Sequence, residues 1–159
     1  MEILTNLEGP GPVHFYEPDG YYGWLSTYAK YPIVIDGVAW NTVEHFYQAS
    51  KFTDDHIRGA IRSAATPSAA KRIAVEYKDR RIPTWPSIKN SAMLAALRCK
   101  FAQYPELRRR LVGTGSAEII EMSPDDWYWG AGCDGGGKNV LGQLIMSVRD
   151  EISREPSSE

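Results

Sequence analysis

The segment from Ile33 to Phe52 constrains this chain more than any other. Ile33-Val-Ile35 and Val38-Ala-Trp40 are short strand-forming runs separated by Asp36-Gly37, a pair suited to a type I′ turn. A helix from about Thr42 follows at once, so a hairpin feeds straight into a helix. That helix has Val43, Phe46, Tyr47 and Phe52 to bury. It also carries Glu44, Gln48 and Lys51 at i, i+4 and i+7, positions that lie nearly above one another at 3.6 residues per turn. At ~1.5 Å rise per residue this face is about 10 Å long, close to the length of a nucleoside.

Two readings of the face stay open. Asn41 followed three positions later by Glu44 fits a capping box, in which the glutamate closes the first turn while Gln48 and Lys51 sit in solvent. Alternatively the carboxylate, carboxamide and amine form one site able to act on a glycosidic bond.

The rest of the chain reads as helices with few strands. A strand is expected over Val13 to Glu17, a turn at Pro18-Asp-Gly20, and helices over Asp55 to Ala65 and from Thr66-Pro67 to about Lys78. A longer helix is expected to open near Ser87 and carry Met93, Leu94, Leu97 and Phe101. Pro105 to Val112 forms another, ending at Gly113, and Ile119-Ile120 is a short strand. Asn139 should cap a final amphipathic helix bearing Val140, Leu141, Leu144, Ile145, Val148 and Ile152 on one side, before a disordered tail at 155–159. The expectation is one α+β domain over 1–154, mostly helical, with a small β-hairpin or sheet.

Composition excludes several classes. A chain of 159 residues, 43% hydrophobic and 24% charged, matches one soluble globular domain. No apolar run approaches the ~18 residues of a membrane span. Met1 to Asn6 lack a basic region followed by an apolar core, so no secretory signal and a cytoplasmic location are expected. Cys99 and Cys133 make neither a disulfide framework nor a metal pair, and His14, His45 and His56 lack ligand spacing, so no metal or cofactor is expected. A net charge of −2 argues against gripping nucleic acid by bulk electrostatics. The local clusters Lys71, Arg72, Lys78, Arg80, Arg81 and Arg108 to Arg110 are either solvated helix faces or patches that steer a phosphate-bearing substrate.

Gly132 to Lys138 fits G-x-x-x-x-G-K. Asn139 replaces the Mg²⁺-binding hydroxyl, and Trp127-Tyr-Trp129 is a poor substitute for a buried strand, so a nucleotide triphosphatase is rejected. An anion nest of exposed amides at a helix start remains open, as does a flexible surface loop. Trp24, Trp85, Trp127 and Trp129 fall in predicted loops, where they either plug the edge of the core or stack on a base. Asp125 and Asp126 stand beside two of them. An acid between Trp127 and Trp129 is expected to keep its proton to higher pH through desolvation.

The chain resembles the NADAR family, which includes the YbiA-type N-glycosidases, from about Val13 to Ile152. The resemblance rests on Phe15-Tyr16, Gly23-x-Leu25-Ser26, Asp36-Gly37-x-x-Trp40-x-Thr42-x-Glu44-His45-x-Tyr47-Gln48-Ala49-x-Lys51-Phe52, Trp85-x-x-x-Lys89-x-x-x-Met93 and Lys100-Phe101. Glu121-x-x-x-x-Asp126-x-x-Trp129-Gly130 and Gly137-x-Asn139-x-Leu141-Gly142 complete it. It departs at Thr27-Tyr28, where the family commonly has Asn-Phe, and at Asn41, where proline is usual.

The resemblance implies an enzyme that breaks the N-glycosidic bond between ribose and a base. The implied substrate is first ADP-ribosylated guanine, in a nucleotide or in nucleic acid, with an ADP-ribosyltransferase as the enzyme it partners. Ribosylaminopyrimidine intermediates of riboflavin synthesis are the alternative. A module that binds ADP-ribose without cutting it is the rival from another class. The residues implied as catalytic are Glu44, Lys51 and Asp126, the last either protonating the base or orienting ribose hydroxyls. Those implied in binding are Trp85, Trp129, Gln48, Gly23 and Ser26, with Gly135, Gly136, Gly137 and Asn139 receiving phosphate.

Overall fold

A computed structural model describes residues 11–156. The expectations for Met1 to Asn6 and for the tail at 157–159 lie outside the described residues. Glu155, expected to begin a disordered tail, is instead held by an ion pair with Arg108.

The hairpin and its helix form as read. Strands β2 (Ile33–Ile35) and β3 (Val38–Trp40) pair antiparallel, Ile33 opposite Trp40. Asp36 and Gly37 both take positive φ, 52° and 76°, as a type I′ turn requires. Helix α1 (Val43–Ala49) starts almost immediately, but its cap is Thr42 rather than Asn41. The Thr42 hydroxyl accepts the His45 backbone N–H at 3.1 Å and meets His45 Nδ1 at 2.8 Å. His45 Nε2 donates to the Ala64 carbonyl at 3.0 Å, tying the start of α1 to the chain beyond the next helix. Asn41 is exposed, so the buried hydroxyl takes the cap and no capping box forms at Glu44.

Helices α2 (Asp55–Arg62), α3 (Pro67–Glu76), α4 (Trp85–Gln103), α5 (Pro105–Gly113) and α6 (Val140–Arg154) complete the helical part. Thr66 caps α3 ahead of Pro67 as expected. Helix α4 opens at Trp85 rather than near Ser87, because Pro86 occupies a first-turn position where no amide donor is needed. Strand β1 (Val13–Phe15) pairs in parallel with β4 (Ile119–Glu121), Phe15 lying opposite Glu121. The result is a mostly helical α+β domain. Helix α1 packs against α2, α3 and α4, while α6 covers β4 and packs on α4 and α5. Among the described residues no helix is long and apolar enough to cross a membrane.

Asn139 precedes α6 but does not cap it. The residue is left-handed, at φ 51°, and its side chain turns away: Oδ1 accepts the Glu121 N–H and Nδ2 donates to the Ile119 carbonyl, both at 2.9 Å. It therefore staples β4 to the start of α6.

Lys100 of α4 is fully buried. Its Nζ donates to the carbonyls of Trp24, at 2.6 Å, and Ser26, at 3.2 Å, fixing the short 3-10 turn Gly23–Leu25 and the residues after it. Burial holds its pKa well below the ordinary 10.5, at about 7. A base whose folded pKa is depressed binds its proton less tightly in the folded chain, so this group makes stability rise with pH from about 7 to 10.5. Urea unfolding at both ends of that window should show a smaller rise for Lys100→Met than for the wild type. An equal rise in both would contradict this account of Lys100.

Candidate active site

Nearly every residue of α1 is buried, which removes the solvated-face reading. Glu44 is 7% exposed and Gln48 2%. Both line a cleft of about 570 Å³ that also takes in Ser26, Lys51, Asp126 and Trp129. The early helix and the tryptophan-rich loop near the carboxyl end therefore meet at one hollow.

Glu44 is the centre of that cleft. Its Oε1 accepts from Gln48 Nε2 at 2.7 Å and its Oε2 from Thr27 Oγ1 at 2.9 Å. Its backbone N–H donates to the Thr27 carbonyl at 3.2 Å. Among the described residues no basic side chain forms an ion pair with it. A buried carboxyl without a countercharge is costly, and two aimed donors offset part of that cost. Gln48 Oε1, also buried, has no donor of its own among the described residues.

Lys51 reaches the same cleft by a different route from the one expected. Helix α1 ends at Ala49, so Lys51 lies in the turn beyond it and not on the helical face. Its N–H donates to the Gln48 carbonyl at 3.3 Å, and its own carbonyl accepts from Ile82 N–H at 2.8 Å. The Nζ stands 5.2 Å from the Tyr47 ring centre and 6.0 Å from that of Trp85. Burial lowers its pKa to about 8; Glu44 opposes that shift, and the positive charges of Arg81, Lys71 and Lys89 add to it.

Asp126 holds the C-terminal wall. Its Oδ1 accepts the backbone N–H groups of Tyr128 at 3.0 Å and Trp129 at 2.7 Å. Trp129 Nε1 donates to the Tyr47 hydroxyl at 3.2 Å, docking the loop on α1. The Tyr128 hydroxyl bonds Asn90, and Lys89 Nζ lies 3.6 Å from the Tyr128 ring centre. The carboxyl that burial raises is Glu121, up to about 7, with the charges of Asp126 and Glu44 adding and a bond from Ser123 N–H opposing. Trp127 does not roof Asp126 as expected; it is exposed and packs over Gly132.

Several expected binding residues lie elsewhere. Trp85 is buried behind the wall, its ring tilted against Tyr47 at 5.3 Å. Gly23 shapes the wall without lining it: a Cβ there would fall 2.1 Å from the Pro18 carbonyl, and Pro18 is a lining residue. The glycine loop offers no open nest. Gly136 N–H donates to Asp134 Oδ1 and Gly137 N–H to the Ala131 carbonyl, while Gly135 N–H turns to the Gly132 carbonyl. Asn139 N–H is taken by the Gly130 carbonyl, and neither these glycines nor Asn139 line the cleft. Thr27, Tyr47, Lys71 and Glu121 do line it and were not among the expected site residues. For Tyr47 and Glu121 a signal existed, since each stands inside one of the quoted motifs.

Fold and site together define a small α+β enzyme domain whose cleft is lined by Glu44, Glu121, Asp126 and the exposed Glu17, with one amine of lowered basicity, Lys51, beside them. Residues 14–153 match the family model described as the NADAR domain. The chain belongs to the NADAR family. It is 41% identical over 143 residues to N-glycosidase YbiA of Escherichia coli, covering 90% of this chain and 89% of that one. An N-glycosidase of Nostoc punctiforme is 36% identical, with 88% and 92% covered. A riboflavin biosynthesis protein of Vibrio vulnificus is 37% identical over 89% of this chain but only 38% of its own length. The NMR structure of E. coli YbiA superposes with a TM-score of 0.85 at 37% identity, covering 94% of this chain and 91% of that one.

The Lys51 amine should react with a small acylating reagent with a midpoint near pH 8, ahead of the exposed lysines, as read by peptide mass. Because the Glu44 charge favours the ammonium, Glu44→Gln should move that midpoint down. A midpoint that rose or stayed put would contradict the electrostatic coupling.

Proposed function

We propose that this chain is an N-glycosidase that hydrolyses the bond between a ribose and a base, with ADP-ribosylated guanine as its first substrate. The observation that carries the reading is the convergence of Glu44 and Lys51: a buried carboxylate and a partly neutral amine face one cleft of nucleoside size. The E. coli and Nostoc relatives, both named N-glycosidases, support the class of bond.

In this reading the Lys51 amine attacks the anomeric carbon as the ribose–base bond breaks, and the base leaves with a proton. The sugar ring opens to an imine, which water then hydrolyses to return the amine and release the sugar. Glu44 stabilises the cationic transition state and takes up the proton that Lys51 loses on attack. The free Gln48 Oε1 accepts from a ribose hydroxyl, Asp126 orients the other hydroxyls, and Trp129 lies along the base.

A side hollow of about 550 Å³ supports the ADP-ribose substrate. It shares Tyr28, Ser68 and Lys71 with the cleft and adds Arg72, Val75 and Glu76, giving length and a small excess of positive charge for a diphosphate and second nucleoside. The riboflavin biosynthesis proteins of Vibrio vulnificus and maize favour a second reading, a ribosylaminopyrimidine phosphate. Pure binding is the weaker account, because an unpaired buried carboxylate at the sugar is a cost that recognition alone does not need.

Incubation with ADP-ribosylated guanosine and with a ribosylaminopyrimidine phosphate, followed by mass detection of free base, separates these readings. Release from the first substrate is expected, and release only from the second would move the assignment to it. Glu44→Gln should bind normally yet lose about 10²–10⁴-fold in kcat. Borohydride should trap a sugar adduct on Lys51; turnover without any adduct would replace amine attack by water attack, with Glu44 as general base.

A further inference from the structure

Glu121 shares the cleft with Glu44, Asp126 and Lys51, yet the reaction above gives it no part. Its backbone is pinned on three sides. β4 pairs with β1 so that Glu121 faces Phe15, its N–H donates to Asn139 Oδ1 at 2.9 Å, and its carbonyl accepts from Ala131 N–H at 2.8 Å. The side chain is confined too. Oε2 accepts from Ser123 N–H at 3.2 Å and presses on Gly130, where a Cβ would fall only 2.0 Å away.

Glu44 and Asp126 are more committed. Both oxygens of Glu44 accept protein hydrogen bonds, and one oxygen of Asp126 accepts two. Oε1 of Glu121 has no hydrogen-bond partner among the described residues, and no basic side chain pairs with that carboxyl. An uncompensated carboxyl, half-buried and aimed at a cleft beside two other acids, is stable there in its protonated form.

We infer that Glu121 is the acid that protonates the departing base. As the bond from the anomeric carbon to the base nitrogen breaks, its electron pair passes to the base, and the Glu121 proton moves onto the base. The carboxylate that remains is recharged from solvent. A pKa raised to about 7 keeps a useful fraction of the acid protonated at neutral pH and lets it cycle. The inference rests on the N-glycosidase reading and names the source of the proton with which the base leaves.

The test compares two substrates with the same ADP-ribosyl group, one bearing guanine and one bearing 4-nitrophenol, which leaves without needing a proton. Glu121→Gln keeps an acceptor for Ser123 N–H. It should lose about 100-fold or more in kcat on the N-riboside and stay within about threefold of wild type on the nitrophenyl riboside. The fall in kcat above about pH 8, where Lys51 is already neutral and only the Glu121 proton is still being lost, should disappear with it. Gly130→Ala, which keeps the acid but displaces it, should show the same leaving-group pattern, and melting curves check that both variants fold. Equal losses on the two substrates, or an alkaline limb that survives in Glu121→Gln, would overturn the assignment. If the nitrophenyl riboside is not accepted, the alkaline limb alone decides. A wild type that cleaves neither riboside, and no ribosylaminopyrimidine phosphate either, refutes the glycosidase reading itself, a different result from a Glu121 variant that matches an active wild type.

Discussion

Everything in this domain answers to one carboxylate. Among the described residues Glu44 is buried with no ion-pair partner, and only the Thr27 hydroxyl and the Gln48 amide donate to its oxygens. Hydrogen bonds to a charged group are worth about 1.5–3 kcal/mol each, less than burying an isolated charge costs, so the scaffold has to make up the difference. It does so in layers. Lys100 anchors the carbonyls of Trp24 and Ser26, which places Thr27; the Thr42–His45–Ala64 bonds fix the start of α1, which places Gln48 one turn from Glu44. Stability spent in this way marks a residue kept for chemistry rather than for packing.

The same desolvation acts in opposite directions on its neighbours. It brings an amine down to about 8 at Lys51 and a carboxyl up to about 7 at Glu121, so both can change protonation state near neutrality. The cationic side chains around Lys51 push it further toward the neutral amine, while Glu44 restrains the shift. A partly neutral amine, a carboxyl that keeps its proton toward neutral pH and a hydrogen-bonded carboxylate are the parts that the proposed glycosidic cleavage needs.

Local features were legible in the sequence and tertiary ones were not. Asp36-Gly37, Thr66-Pro67 and the amphipathic α6 are written within a few residues, and each formed. Lys51 was brought to the right cleft by the wrong geometry, because the i+7 rule assumes a helix that in fact stops at Ala49. The glycine loop looked open only because nothing local reveals that Ala131, Gly130 and Asp134 take its amides. Asn139 had the composition of a cap, but a strand nearly twenty residues earlier claimed its side chain. Glu121 stood in a quoted motif but was given no role for a related reason: beyond the expected strand Ile119-Ile120, nothing local shows that the β1 pairing and the Gly130 contact turn it inward.

The central claim is that the donors on Glu44, and not merely its presence, make the cleft catalytic. The most direct measurement is the rate of base release at saturating substrate by a double variant, Thr27→Val with Gln48→Leu, which keeps Glu44 and removes both of its hydrogen bonds. The account predicts a folded protein whose rate falls close to that of a chain lacking the carboxylate. A double variant that released base at the wild-type rate would contradict it.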